Sequence, residues 1–250
     1  MARRWSHALA WLLWAATVVL LVAGALVTST GSSLAVPDWP LAYGRFFPPM
    51  VGGILYEHGH RMIATAVGFL TTVLAIWLWR REKRRWVRNL GLVALAVVVL
   101  QGFLGGLTVL YLLPPAVSVA HACLAQTFFC LTVSIALFTS GGWVSGSPPG
   151  SEAERIPLRR LCLATAGSVY VQLLLGALVR HTHSGLAIPD FPLSFGHILP
   201  PLSSLTVDPN APFPISLDEY RNRVLIHFAH RLWAVAVLGC VAWTTWRILR

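Results

Sequence analysis

Charged residues are scarce in this chain of 250 residues: Asp, Glu, Lys and Arg together make up 11% of it, and only 9 residues are acidic. Hydrophobic residues make up 56%, and the mean hydropathy is +0.68. A soluble domain of this size needs more charge on its surface. The composition therefore excludes an ordinary soluble protein and is typical of an integral membrane protein.

Cysteine is also scarce, with 4 residues and no C-x-x-C motif. All of them lie within strongly apolar stretches: Cys123, Cys130, Cys162 and Cys240. A thiol in such a stretch packs as a small apolar residue. We therefore expect structural thiols and no disulfide.

Six apolar runs are long enough to cross the hydrocarbon core of a bilayer, which takes about 20 helical residues. They lie near 8–29, 59–79, 90–112, 117–139, 161–180 and 223–246. The first run follows two arginines, as in a secretory signal peptide, but it is longer than the apolar part of such a peptide. We therefore predict six transmembrane helices, including a retained first helix.

Basic residues are distributed unevenly between the predicted loops. With the N-terminus in the cytoplasm, 13 of the 19 Lys and Arg residues lie on the cytoplasmic side. This distribution fits the positive-inside rule and places both termini of a cell (inner) membrane protein in the cytoplasm. The formal net charge of +10 then reflects topology. Its partners are anionic lipids of the bilayer, and no nucleic acid binding is expected.

A long segment occurs twice in the chain. Residues 24–49, GALVTSTGSSLAVPDWPLAYGRFFPP, recur 152 positions later as residues 176–201, GALVRHTHSGLAIPDFPLSFGHILPP, with 15 identities in 26 positions. Each copy leads from an apolar run into a loop, and a His-Arg pair follows in the next run, at His60-Arg61 and at His230-Arg231. The chain is therefore a tandem duplication, and function is expected at the duplicated loops and histidines.

The duplication defines the predicted domains. Residues 1–140 form an N-terminal four-helix repeat, 141–160 a cytoplasmic linker rich in Gly, Ser and Pro, and 161–250 the first two helices of the C-terminal repeat. The fold class is an all-α integral membrane protein with a four-helix bundle and the first half of a second bundle. Counterparts of the third and fourth helices are lacking in the second repeat, which we interpret as a fragment or a shortened natural form.

Two histidines suggest the chemistry of the first repeat. His60 and His121 lie about one turn inside the outer ends of the second and fourth helices, where their imidazoles can face each other. This geometry suits axial ligation of a haem iron, with Arg61 and Arg231 able to pair with propionates. The alternative is a polar residue at the membrane interface. By the same spacing, a partner of His230 would fall near position 291.

Other polar residues have two interpretations each. Glu57 either has a structural role, as an intrahelical ion pair with Arg61 or a cap of the first helical turn, or lies at the edge of a bound ring. There it could accept a proton or stabilise positive charge on a substrate carbon; the second copy has His227 at this position. Asp38 and Asp190 either fix the loop through an Asx-type turn or contact the substrate. Trp39 and Phe191 are interpreted as interfacial anchors or lids, Gln101 and Gln172 as interhelical hydrogen-bonding residues, and His7 as a solvated flank.

The motif TGSSLAVPDWPL, the sequence Glu57-x-x-His60-Arg61, His121 and the second-copy pair His230-Arg231 together resemble the haem A synthase family of respiratory membranes. The resemblance implies oxidation of the C8 methyl group of haem O to a formyl group by successive hydroxylations. The product would be haem A for cytochrome oxidase. The substrate haem would lie between His60 and His121, with Glu57 catalytic.

The resemblance also implies a haem b site in the C-terminal half, of which His230 is the one axial ligand present. Haem O synthase, an electron acceptor and a second copy of the chain are candidate partners beside haem O and the bilayer. Many family members have a cysteine pair flanking the PDWPL loop. Val36 and Ala42 occupy those positions here, which indicates a cysteine-less subgroup without a thiol redox role.

Two other functions remain open from the sequence. A non-catalytic haem-binding or electron-transfer membrane protein would use the same histidines, but it would not need Glu57. A transporter fits the parallel repeat but lacks broken helices or charges at mid-membrane depth.

Overall fold

The computed structural model describes residues 2–146, 152–207 and 215–250. It divides into two compact units, Met1–Ser147 and Pro148–Arg250. The helices are α1 (Ala2–Ser29), α2 (Gly53–Arg81), α3 (Arg85–Leu110), α4 (Pro115–Thr139), the short α5 (Gly141–Ser145), α6 (Glu152–His181) and α7 (Leu217–Leu249). Six of them are long and apolar enough to cross a membrane, which confirms the predicted all-α, six-span fold.

Several helices extend beyond the apolar runs that predicted them. Helix α2 begins at Gly53, six residues before the predicted span, because Glu57 and His58 interrupt the apolar run but not the helix. Helix α7 begins at Leu217, where the Ser216 hydroxyl accepts a hydrogen bond from the Glu219 N–H at 3.1 Å. The predicted linker 141–160 is partly helical, since α5 lies within it and α6 begins at Glu152.

The first unit contains a four-helix bundle. Helix α1 packs against α2 and α4, and α3 also packs against α2 and α4. Short connections make sequence neighbours antiparallel, so α2 and α4 run in the same direction and lie diagonally across the bundle. Their backbones do not contact each other in the part of the chain that the structure describes.

The packed core occupies one half of this bundle. Its buried members are Ala10, Leu13, Val67, Leu74, Leu78, Val87, Ala94, Phe128, Ile135 and Ala136. All of them lie toward the end where α1 and α3 begin. The opposite end, where α1 and α3 end and α2 and α4 begin, contains His60 and His121, and we call it the histidine end.

The second unit contains α6 and α7, which pack against each other. Its small buried cluster comes from the second copy of the loop and from α7: Ala187, Ile188, Leu205 and Val224.

Candidate functional site

Arg61 holds the first copy of the duplicated loop against α2. One guanidinium nitrogen, Nη1, donates to the carbonyl oxygens of Asp38 at 2.7 Å and Leu41 at 3.0 Å. The other, Nη2, donates to the Val36 carbonyl at 3.2 Å and to Glu57 Oε1 at 2.6 Å. The predicted Glu57–Arg61 ion pair is therefore present, and its arginine clamps the loop.

Glu57 is the second part of this clamp. It is buried, with 4% of its surface exposed. While Oε1 pairs with Arg61, Oε2 accepts a hydrogen bond from the Val36 N–H at 2.8 Å. Oε2 therefore connects the start of α2 to the loop directly, and Oε1 does so through Arg61.

The second copy repeats the clamp with a different acceptor. Arg231 donates to the carbonyl oxygens of Asp190 at 2.6 Å, Leu193 at 3.2 Å and Ile188 at 3.3 Å. Its Nε also donates to Nε2 of His227 at 3.1 Å. Both guanidinium groups therefore hold the loop carbonyls, while their pairing with haem propionates stays a prediction.

His227 stands where the first copy has Glu57, and it fits the position less well. The Ile188 N–H points at its Nδ1 at 3.3 Å, while Arg231 points at its Nε2. A neutral imidazole has only one acceptor nitrogen. One of the two donors is therefore poorly satisfied, whereas Glu57 satisfies both of its donors.

Replacing His227 with glutamate is expected to stabilise the second loop by about 1 kcal/mol, because a carboxylate accepts from both donors and forms a charge-assisted bond with Arg231. The free energy of unfolding in detergent measures the effect. The reciprocal change, Glu57→His, is expected to destabilise the first loop. A His227→Glu protein less stable than the parent would contradict this account.

Asp38 and Asp190 fix the turns at the loop tips. Asp38 accepts backbone hydrogen bonds from Tyr43 at 2.7 Å and Gly44 at 2.8 Å. Asp190 accepts from Phe195 at 2.6 Å and Gly196 at 2.8 Å. The predicted loop-fixing role is confirmed, although the donors lie five and six residues on, beyond the reach of an Asx turn.

These hydrogen bonds also determine the charge of the two aspartates. The Gly44 N–H, followed by the Tyr43 N–H, lowers the pKa of Asp38 below its ordinary value. The Gly196 N–H is the main cause of the lowered pKa of Asp190. Both carboxylates are therefore ionised at neutral pH, and their stabilisation of the loops is lost only as the pH falls through these lowered pKa values.

The first loop reaches across to α3 through Trp39. Its indole packs beside Phe103, with ring centroids 6.4 Å apart. A Cβ at Gly106 would lie 2.7 Å from Trp39 Cδ2, so only glycine admits the ring there. In the second copy, Phe191 is 81% exposed, with the Arg231 guanidinium 5.7 Å from its ring centroid. The lid interpretation therefore suits Trp39 better than Phe191.

His60 and His121 lie at matched depths. His60 is the eighth residue of α2 and His121 the seventh of α4. With a rise of about 1.5 Å per residue, these positions are about 10 Å and about 9 Å from the helix starts. The depth is about two turns rather than the predicted one, because both helices begin earlier than their apolar runs. The two histidines therefore lie on diagonal helices at the same end.

The surroundings of these histidines fit a bound macrocycle. The packed core of the bundle lies in the other half. Four buried polar atoms at the histidine end have no hydrogen-bond partner among the described residues: His58 Nδ1, His60 Nδ1, Gln101 Oε1 and Ser118 Oγ. Such atoms are costly to leave unsatisfied. The histidine end therefore has polar groups that a planar ligand with an imidazole-binding metal would use.

The two glutamines behave as predicted, and they contact the helices that carry histidines. Gln101 Nε2 donates to the His121 carbonyl at 2.8 Å, from α3 to α4. Gln172 Nε2 donates to the His230 carbonyl at 3.2 Å, from α6 to α7, and lies 3.2 Å from His230 Nδ1. The same interhelical contact therefore occurs in both units.

Two further histidines have structural contacts. His58 is buried, and its Nε2 forms a hydrogen bond with the Phe46 carbonyl at 2.9 Å. His7 was expected to be solvated, which is wrong: its Nδ1 forms a hydrogen bond with the Ala136 carbonyl at 3.1 Å, and its Nε2 accepts from Trp11 at 3.0 Å. The four cysteines are free: Cys123 is buried, Cys240 is half-buried, and Cys130 and Cys162 are exposed.

Comparison with known proteins identifies what the chain is similar to. The COX15-CtaA family, described as "Cytochrome oxidase assembly protein", matches residues 51–250. The haem A synthase of Halalkalibacterium halodurans is 32% identical over 194 residues, covering 74% of this chain and 63% of that protein. The haem A synthase of Symbiobacterium thermophilum is 31% identical over 244 residues, covering 94% and 73%. The chain thus spans less than two thirds of the first relative's length.

Proposed function

Because the chain belongs to the COX15-CtaA family of cytochrome oxidase assembly proteins, we propose that it is a membrane oxidoreductase that converts haem O to haem A. The reaction oxidises the C8 methyl group to a formyl group. It removes electrons and protons from the methyl carbon and adds one oxygen atom. The site therefore needs an electron acceptor and an oxygen donor as well as haem O.

The observation that carries this proposal is the pair His60 and His121 on diagonal helices at matched depth, away from the packed core of the bundle. We assign these two residues as the axial ligands of the substrate haem. Two imidazoles would hold the macrocycle between α2 and α4, and its conjugated ring supplies stabilisation for charge that develops at an attached methyl carbon. The first loop would keep water from this end through Trp39.

Glu57 is the residue we assign to proton transfer. It lies three residues before His60, on the same face of α2. Each of its oxygens accepts one hydrogen bond in the structure. A carboxylate oxygen can accept two, so Glu57 can receive a proton, or stabilise positive charge, while it still holds the loop.

The test is to purify the chain in detergent from cells that also make haem O, and to identify the extracted haem by chromatography and mass. Glu57→Gln is expected to yield only unmodified haem, whereas the parent yields haem A or its hydroxylated precursor. The matched control is Glu82→Gln, since Glu82 also pairs with an arginine, Arg84, at 3.0 Å but lies at the other end of α2. Oxidised haem from the Glu57→Gln protein would contradict the assignment.

A second candidate function is haem binding or electron transfer without chemistry on the macrocycle. It is favoured by one observation: Glu57 already has a structural use, because Oε2 holds the loop at Val36 and Oε1 holds Arg61. In that case the parent, Glu57→Gln and Glu82→Gln would all yield the same unmodified haem. The experiment above therefore separates the two functions.

For the second unit, we propose that His230 would hold the iron of a haem b, which would supply electron transfer. Its ring lies beside Gln172 on α6. Because His227 replaces the carboxylate of the first unit, this unit is assigned electron transfer rather than methyl oxidation.

We also propose that haem O synthase delivers the substrate. Both termini face the cytoplasm in this proposal, as the distribution of Lys and Arg predicts.

The loop chemistry supports a cysteine-less subgroup. Val36 and Ala42, at the positions of the expected cysteine pair, are completely buried. The loop is held instead by the Arg61 and Asp38 hydrogen bonds described above. We propose that these contacts replace a disulfide in this chain, so that reducing agents leave the first loop in place.

A further inference from the structure

Three histidines pack against three glycines in the same way. Gly24, Gly105 and Gly176 each lie five residues before the end of their helix, in α1, α3 and α6. The next long helix in each case brings a histidine against the glycine. These pairs are Gly24 with His60, Gly105 with His121 and Gly176 with His230.

The duplication alone does not explain this pattern. It relates Gly24 to Gly176, but the pair Gly105–His121 belongs to the second helical hairpin of the first unit. Two of the hairpins also have a glutamine four residues before the glycine. Gln101 and Gln172 donate hydrogen bonds to the backbone carbonyls of His121 and His230, respectively. The recurring structural unit is therefore a helical hairpin, one glycine and one histidine.

The contacts are close and similar in geometry. If a Cβ were added, its nearest neighbour in each pair would be Cε1, the ring carbon between the two nitrogens. The distances are 3.0 Å for His60, 3.2 Å for His121 and 3.3 Å for His230. Each value is shorter than ordinary van der Waals contact, so an alanine would push the ring away from the neighbouring helix.

Other glycines in these helices do not face a histidine. A Cβ at Gly102 in α3, at Gly68 in α2 or at Gly167 in α6 would meet nothing within 4 Å, and the close neighbours of Gly53, Gly91 and Gly106 are Ala35, Leu78 and Trp39. A histidine ring is therefore the nearest neighbour of Gly24, Gly105 and Gly176 alone among the glycines of the described residues.

We propose that Gly24, Gly105 and Gly176 are positioning residues that determine where the imidazoles of His60, His121 and His230 stand for iron ligation. The inference rests on the proposed haem ligation by these histidines. Each glycine lets the ring approach the neighbouring helix closely. In the first unit, this leaves the space between the diagonal helices α2 and α4 for the macrocycle. The glutamines Gln101 and Gln172 hold the backbone of two of the same histidines and act in the same way.

The test compares Gly105→Ala with Gly102→Ala in the full chain. Both changes replace a glycine in α3 by alanine, with a similar gain in helix propensity, but only the first places a methyl group against His121. Purified protein is titrated with hemin, and its ferric spectrum is recorded. The expected result for Gly105→Ala is a hemin dissociation constant raised at least about ten-fold, which corresponds to about 1.4 kcal/mol, and a shifted low-spin signal. Gly102→Ala is expected to match the parent.

A second measurement does not depend on haem. Without hemin, Gly105→Ala is expected to lower the melting temperature in the parent background but not in a His121→Ala background, where the ring is absent. Equal effects in both backgrounds would overturn the contact argument. If the parent binds hemin and Gly105→Ala behaves as Gly102→Ala does, the positioning role is wrong and the proposed function is unaffected. If the parent binds no hemin, both fail together.

Discussion

Replacing Arg61 with glutamine is expected to lower the free energy of unfolding of the first unit by about 3 kcal/mol and to release the first loop. The guanidinium group makes hydrogen bonds to three loop carbonyls and to Glu57. Its removal leaves a buried carboxylate with one remaining donor, the Val36 N–H. A buried charge that loses its partner is far more costly than an exposed one.

Arg223→Gln is the matched control. Arg223 pairs with Glu219 at 2.7 Å with the same four-residue spacing, but this glutamate is half exposed. The expected loss is about 0.5 kcal/mol or less. Denaturant titration in detergent and limited proteolysis of residues 30–52 report stability and loop release. Equal losses of unfolding free energy in the two variants would contradict this prediction, because the Arg61–Glu57 pair would then contribute no more than an exposed ion pair.

His60→Ala and His121→Ala are each expected to weaken hemin binding by at least about 100-fold, since changes to groups that only support a metal ligand already cost about 10- to 100-fold. The two losses should be similar, because the proposal gives both residues the same task. His197→Ala serves as the control, since His197 is exposed in the second loop. Retained affinity in either His60→Ala or His121→Ala would remove that residue from the ligand set.

The sequence predicts the membrane-spanning helices, because the bilayer constrains their composition and length. All six spans were predicted, because a segment that crosses hydrocarbon must be apolar, helical and about 20 residues long. The start of α2 was missed because Glu57 and His58 separate Ile54 and Leu55 from the apolar run that follows. Hydropathy does not report helical turns that lie beyond the hydrocarbon.

The histidine positions could be predicted, but the role of the arginines could not. Placing His60 and His121 at one depth requires only helix ends and spacing. The contacts of Arg61 join residues 20 to 25 positions apart through backbone carbonyls, and carbonyl directions depend on the folded loop. The sequence contained one indication of this role. An arginine follows each copy of the loop, at Arg61 and Arg231, whereas the glutamate at position 57 is replaced by His227 in the second copy.

The glycines were missed for a related reason. Gly24 and His60 meet only because α1 and α2 pack antiparallel, so the contact is not visible in either helix alone. One regularity could have indicated their role: each of the three glycines lies five residues before the end of its helix. It becomes informative only when the helix ends are known.

The most direct test of the central claim, a haem held between His60 and His121, is electron paramagnetic resonance of the purified ferric protein and of its His230→Ala variant. The account predicts a low-spin signal of two axial imidazoles that survives in the His230→Ala protein, because both ligands belong to the first unit. A high-spin signal alone in the parent, or loss of the low-spin signal on His230→Ala, would contradict it.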